Sequence, residues 1–215
     1  VERGFIYAIA HIRGGKARGH NWFMQGRGPK KTNSFQDFAG AARALIARGW
    51  TKPGNITIHG GSAGGLLVGA TVNLAPELFR AAVAEVPFVD VLNTMLDETL
   101  PLTPPEWPEW GNPIESAIDY ATIKAYAPYE NIHATDYPHI LATGGLTDPR
   151  VTYWEPAKWI ARLRARRTDN GLSLLRTEMT AGHGGKAGRF NQLHEVAFVY
   201  AFVIFVHTVL LEKKE

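Results

Sequence analysis

The run His59-Gly60-Gly61-Ser62-Ala63-Gly64-Gly65 constrains this chain more than any other part of it. It fits G-x-S-x-G and lies between a β-rich apolar stretch, 55–59, and a small-residue helical pattern, 64–74. A serine at such a junction occupies a sharp strand-to-helix turn whose backbone angles are strained for a residue bearing a Cβ. Glycine is expected two residues before and two after it, because a side chain at either place would strike neighbouring backbone. The turn points the hydroxyl at open space and sets it at a helix N-terminus, whose free N–H groups and dipole favour developing negative charge. The competing explanation is a Gly-rich phosphate cradle or a plain helix-start turn. With 22 glycines in 215 residues, chance puts Gly at both places around a given serine only about once in a hundred times, and the flanking strand and helix make it rarer.

The rest of the chain alternates in the same way. The β-rich run Phe5 to Ile12, stopped by Arg13-Gly14-Gly15, predicts a buried strand. Ser34 opens a helix in which Phe38, Ala41, Ala42, Leu45 and Ile46 recur at helical spacing until Gly49. Further strands are predicted over 81–86, 139–143 and 172–177, and helices over 155–167 and 191–211. Strands alternating with helices of this length imply a mostly parallel sheet covered by helices on both faces, with active sites at the carboxyl ends of the strands. The stretch 93–134 breaks the rhythm with Pro101, Pro104, Pro105, Pro108 and Pro113 around Trp107 and Trp110. It reads as an irregular excursion over the sheet edge, where specificity determinants are expected.

Composition removes several chemistries. With no cysteine, disulfide scaffolds, thiolate zinc sites and cysteine nucleophiles are excluded. A formal charge of +3 is too small and too dispersed for a nucleic-acid surface. The apolar run Val196 to Leu211 is shorter than the roughly 20 residues of a membrane span and reads as a buried terminal helix. The chain begins at Val1 without an initiator Met or a secretory pattern, which suggests processing or a piece of something longer, and a cytoplasmic location is expected. No metal or other cofactor is required by the chemistry that follows.

A serine at its ordinary pKa is a poor nucleophile and needs a base oriented by a third group. In this kind of fold the chain order is Ser, acid, His. Of eight histidines, His183 alone lies in a Gly-rich turn directly after a predicted strand, in Thr180-Ala181-Gly182-His183-Gly184-Gly185. His59 lies beside the serine but at a strand end, where packing is its expected role. The acid candidate is Asp148, placed past the 139–143 strand by Gly144-Gly145-Leu146-Thr147. An Asp-Pro turn residue is the alternative reading of that position.

With these positions set, the sequence resembles the prolyl oligopeptidase family of serine peptidases, within it a branch that cuts after basic residues. The resemblance rests on Ala10-His11-Ile12-Arg13-Gly14-Gly15, Gly60 to Gly65, Val86-Pro87-Phe88-Val89-Asp90-Val91, Glu109-Trp110-Gly111-Asn112-Pro113, Tyr153-Trp154-Glu155-Pro156-Ala157-Lys158-Trp159 and Gly182-His183-Gly184-Gly185-Lys186. It implies an α/β-hydrolase fold over 1–215, present as a partial, N-terminally truncated catalytic domain without the family's upstream strands and β-propeller. It also implies a Ser62, Asp148, His183 triad, the Ala63 N–H as an oxyanion donor, and cleavage of short peptides after Arg or Lys. Glu106 would pair with the substrate cation, Phe88 would lie along its stem, and Arg150 would hydrogen-bond a substrate carbonyl. Bidentate pairing and cation–π attraction make that pocket physically sensible.

Two local departures stand out. Glu106-Trp107-Pro108-Glu109 places Pro108 where the family pattern has a second carboxylate, and Gly14-Gly15-Lys16-Ala17-Arg18 replaces the usual Gly and Glu continuation. The family's second oxyanion donor belongs to a segment before Val1. Other readings stay open: a related peptidase or esterase of different specificity, or an inactive fragment acting as an association module. An open sheet edge would invite pairing with the absent segment or another copy.

Overall fold

The computed structural model describes residues 2–212 of the chain. Its centre is a sheet of β1 (Ile56–Gly61), β2 (Phe79–Glu85), β3 (His139–Gly145) and β4 (Ser173–Glu178), in that spatial order and parallel throughout. His59 lies opposite Val83, Val83 opposite Leu141, and Leu141 opposite Leu174. Sequential parallel strands require crossovers, and helices supply them: α3 (Ala63–Leu74) between β1 and β2, and α7 (Trp154–Arg166) between β3 and β4.

Strand alternation sorts the core into two faces. Ile58, Ala82, Ala84, Ile140 and Ala142 point to one, beneath Val68 and Val72 of α3, Trp159, Ile160 and Leu163 of α7, and Ala39 and Ala42 of α2 (Thr32–Ala47). Ala81, Val83 and Leu141 point to the other, beneath Val199, Phe202 and Val206 of α8 (Arg189–His207). The many alanines of β2 let helices approach closely on both sides. A short helix, α1 (His20–Met24), precedes α2, and α9 (Val209–Glu212) follows α8.

Three expectations change. The run 5–12 forms no strand, and Ile6, Tyr7 and Ile9 are 62%, 81% and 68% exposed. No described strand lies beside it, and a β-rich run without a neighbouring ladder has nowhere to place its backbone hydrogen bonds. The excursion is helical: α4 (Val91–Met95), α5 (Thr103–Trp110) and α6 (Ala117–Tyr126). Pro104 stands in the first turn of α5, where its missing N–H costs nothing. These helices build a further core in which Phe35, Leu66, Phe88, Met95, Trp110, Ile123 and Tyr126 pack together. The terminal helix is mostly exposed rather than buried: α8 is long and apolar enough to cross a bilayer by length and composition, and only Val199, Phe202 and Val206 are buried against the sheet while Phe190, Leu193 and Tyr200 face outward.

Candidate active site

Ser62 joins β1 to α3 with φ 55 and ψ −120, a left-handed conformation rare for a residue with a side chain. Its N–H donates to the Glu85 carbonyl at 2.8 Å, and its carbonyl accepts from Phe88 N at 3.1 Å. The elbow is thus fixed from the end of β2. A Cβ on Gly60 would lie 2.3 Å from the Gly64 oxygen, so glycine is required there. The matching expectation for Gly64 fails, since a Cβ at that position meets nothing within 4 Å. Gly65 is the second obligatory position, because its Cβ would lie 2.4 Å from Pro87. Ala63 is exposed and begins α3, where backbone donors have no intrahelical acceptor.

Asp148 stands just past β3 with its side chain fully buried, and His183 stands in the turn after β4. Their loops lie against each other: Leu146 N donates to the Glu178 carbonyl at 2.9 Å and Thr147 N to the Ala181 carbonyl at 3.3 Å. Asp148 Oδ1 accepts the N–H groups of Arg150 at 2.8 Å and Val151 at 3.1 Å, while Oδ2 lies 2.7 Å from His183 Nδ1. Three bonds therefore fix the carboxylate and set the ring's orientation.

Ser62 is not joined to this pair. Among the described residues its hydroxyl makes no hydrogen bond, and His183 lines a separate cleft with Glu85, Glu178 and Glu195. Ser62 and Ala63 instead open onto a cleft of about 240 Å³ whose wall includes Phe88, Glu106, Trp110 and Arg150. The structure thus collects the serine and every substrate-binding candidate in one cavity, and the acid and base next to each other, without the serine–histidine contact.

The cleft's electrostatics depend on side chains that sequence reasoning passed over. Glu109 also lines it but is claimed by Lys31 at 3.1 Å and Arg27 at 3.4 Å, and Arg27 Nε donates to the Pro108 carbonyl at 2.8 Å. Burial lowers the Lys31 pKa, with Glu109 pulling it back up. Glu106 has no cationic partner among the described residues, and its Oε2 accepts the Trp110 indole N–H at 2.7 Å. Trp110 carries Phe88 at a centroid distance of 5.4 Å and the Lys31 ammonium 4.3 Å from its ring centroid. Nothing in the spacing of residues 78 positions apart signals the Lys31–Glu109 pair. Two other positions differ from expectation or gain a role: His59, expected to pack, is half-exposed and paired with Glu85, and Arg13 is held by Asp37 of α2 through Nε at 2.8 Å and Nη2 at 2.6 Å. Among the described residues no group of three or more His, Asp or Glu could hold a metal ion.

A strained serine between a parallel strand and the helix that follows it, over a sheet whose loops after β3 and β4 bring Asp and His together, marks an α/β hydrolase. The chain belongs to the prolyl oligopeptidase family of serine peptidases, whose model matches residues 1–207. It is 50% identical to Protease 2 of Moraxella lacunata over all of this chain and 31% of that protein, and 48% identical to dipeptidyl aminopeptidase BI of Pseudoxanthomonas mexicana over 95% of this chain and 28% of that protein. Among solved structures it is similar to oligopeptidase B from Leishmania major, with a TM-score of 0.89 and 45% identity over 92% of this chain and 27% of that one. It is likewise similar to oligopeptidase B from Trypanosoma brucei in a closed form with covalently bound antipain, with a TM-score of 0.88 and 46% identity over 90% of this chain and 27% of that one. The chain spans less than a third of the length of these relatives.

Proposed function

We propose that this chain is part of the catalytic domain of a serine oligopeptidase that hydrolyses short peptides after Arg or Lys, with Ser62, Asp148 and His183 as its triad. The observation that carries the reading is the single cleft in which Ser62 shares a wall with Glu106, a carboxylate without a cationic partner among the described residues, and with the aromatic pair Phe88 and Trp110. A guanidinium or ammonium would neutralise Glu106 while its stem lies along Phe88. Arg150, exposed beside Ser62, donates to the peptide backbone.

In the reaction His183 Nε2 takes the Ser62 proton as the hydroxyl attacks the scissile carbonyl, and gives it to the leaving amine. Water then attacks the acyl-enzyme with His183 again as base. Asp148 holds the proton on Nδ1, so that Nε2 is free to accept. The Ala63 N–H at the start of α3 faces the charge that develops on the carbonyl oxygen. This needs the ring to close on the serine, a loop displacement that substrate and the remainder of the parent protein would enforce. Covalent antipain on the Trypanosoma brucei relative supports an attacking residue in a fold of this kind. The parent's further segments, and pairing through the open β1 edge, are the proposed partners, and the cytoplasm the proposed compartment.

Similarity to a dipeptidyl aminopeptidase favours a second reading, in which the same triad serves another cleavage preference. Reporter peptides with Arg, Lys, Pro or a neutral residue before the cut, assayed with the full-length parent and its Glu106→Gln variant, decide between them. Selective loss on Arg and Lys reporters is expected; an unchanged preference removes Glu106 from recognition. Failure of a phosphonate to label Ser62 in that parent would remove the catalytic reading itself.

A further inference from the structure

Glu155 lies outside the cleft, yet its carboxyl group is bonded to the cleft's wall. It is 0% exposed. Its Oε2 accepts the N–H groups of Val89 and Asp90, each at 2.9 Å, and its Oε1 accepts the Thr94 hydroxyl at 2.8 Å. All three donors belong to the stretch 88–95, which supplies Phe88, Thr94 and Met95 to the cavity beside Ser62. The same stretch supports the elbow through Phe88 N and the Ser62 carbonyl.

This stretch leaves β2 through Val86 at φ 40, a conformation that a β-branched residue holds only when its surroundings compel it. Val86 N itself donates to the Thr143 carbonyl of β3 at 3.0 Å, and beyond it the stretch is held by α7. Glu155 gathers the three donors, and one turn later Lys158 forms an ion pair with Asp90. On the other side Thr103 Oγ1 donates to the Thr94 carbonyl at 2.8 Å, tying the stretch to the helix that carries Glu106. A buried carboxyl group is costly unless its oxygens are occupied, and an apolar residue would fill the space more cheaply. Its presence is explained by the backbone it holds.

We infer that Glu155 is a positioning residue for substrate specificity: by clamping 88–95 it sets Phe88 at the separation from Glu106 that a long basic side chain requires. The inference rests on the reading of the cleft as the site for Arg or Lys.

The test uses the full-length parent with Glu155→Asp and Glu155→Gln, comparing kcat and KM on an Arg reporter with the rate at which diisopropyl fluorophosphate, which has no basic side chain, labels Ser62. Aspartate is one methylene too short to reach all three donors and is expected to raise KM about tenfold while labelling stays within about twofold; Gln keeps length and acceptor and restores KM. A KM unchanged in Glu155→Asp overturns the inference. So does a fall of labelling in step with the rise in KM, which would mean general disorder. Should Glu155→Asp fail to fold, Thr94→Val removes one of the three bonds, and an unchanged KM there overturns the inference equally. A wild type that labels Ser62 yet ignores basic reporters defeats the underlying reading and leaves the clamp to be read on whichever reporter the enzyme prefers.

Discussion

Gly60, Gly64 and Gly65 surround one serine, and sterics treat them differently. A methyl group on Gly65 would collide with Pro87, so Gly65→Ala should lower stability by about 1–3 kcal/mol as the helix and the 86–88 turn are pushed apart. Gly64 faces open space in the first turn of α3, so Gly64→Ala should instead gain about 0.5–1 kcal/mol. Thermal unfolding of the two variants checks the contrast, and equal shifts would defeat it. At Asp148 the replacement of interest is asparagine. Its oxygen can still accept from Arg150 and Val151, but its NH₂ then faces His183 Nδ1, which must become the acceptor. The proton moves to Nε2, and the base is lost. In the parent enzyme kcat should fall by about 10⁴ with little change in KM, and a modest loss would mean that Asp148 does not set the tautomer.

The elements show what a sequence carries and what it does not. All four strands of the sheet were legible because each is a short apolar run bounded by turn residues, and α7 because Trp159, Ile160 and Leu163 fall on one face. The Asp148–His183 pair was legible for a related reason, as each residue follows a strand within a few residues, whereas the serine's approach to the histidine is not made in the structure. The stretch 5–12 misled because its composition favours a strand, while strand formation requires a neighbouring strand and none of the described strands lies beside it. The excursion misled because prolines were read as breakers, although two of them open a helix. Glu155 was visible only as one letter of a run, since its role depends on donors more than sixty positions away. Its titration is nevertheless measurable. Burial pushes the Glu155 carboxyl up to about 8, helped by the Asp90 charge and opposed by its hydrogen-bond donors. The folded state therefore keeps a proton that the unfolded chain has released above about pH 4.5. The resulting stability is fully present below that pH and is lost as pH rises toward about 8, an effect of a few kcal/mol. In Glu155→Gln, which cannot ionise, unfolding followed between pH 4.5 and 8 should show a flatter dependence. An identical slope in both proteins would mean that the folded and unfolded carboxyl groups titrate alike.

At the scale of the whole molecule the sheet ends at β1 on one side and β4 on the other, and no described strand covers either edge. In the 5–12 run the apolar residues Ile6, Tyr7 and Ile9 face outward, and on α8 Phe190, Leu193 and Tyr200 do the same. Each exposed edge offers backbone donors and acceptors to another strand, and each apolar patch rewards whatever covers it. A net charge of only +3 opposes association weakly. The 215-residue chain on its own should therefore self-associate, with a mass that rises with concentration in sedimentation experiments and falls back in mild detergent. The full-length parent, if its further segments cover these surfaces, should keep a fixed mass over the same range. Covering them should also bring the His183 loop onto Ser62, so fluorophosphate labelling should be fast in the parent and slow in the isolated chain. An isolated chain that stays monomeric and labels as fast as the parent would show that the edge and the serine–histidine gap are independent of the rest of the protein. The catalytic reading would then apply to this chain alone.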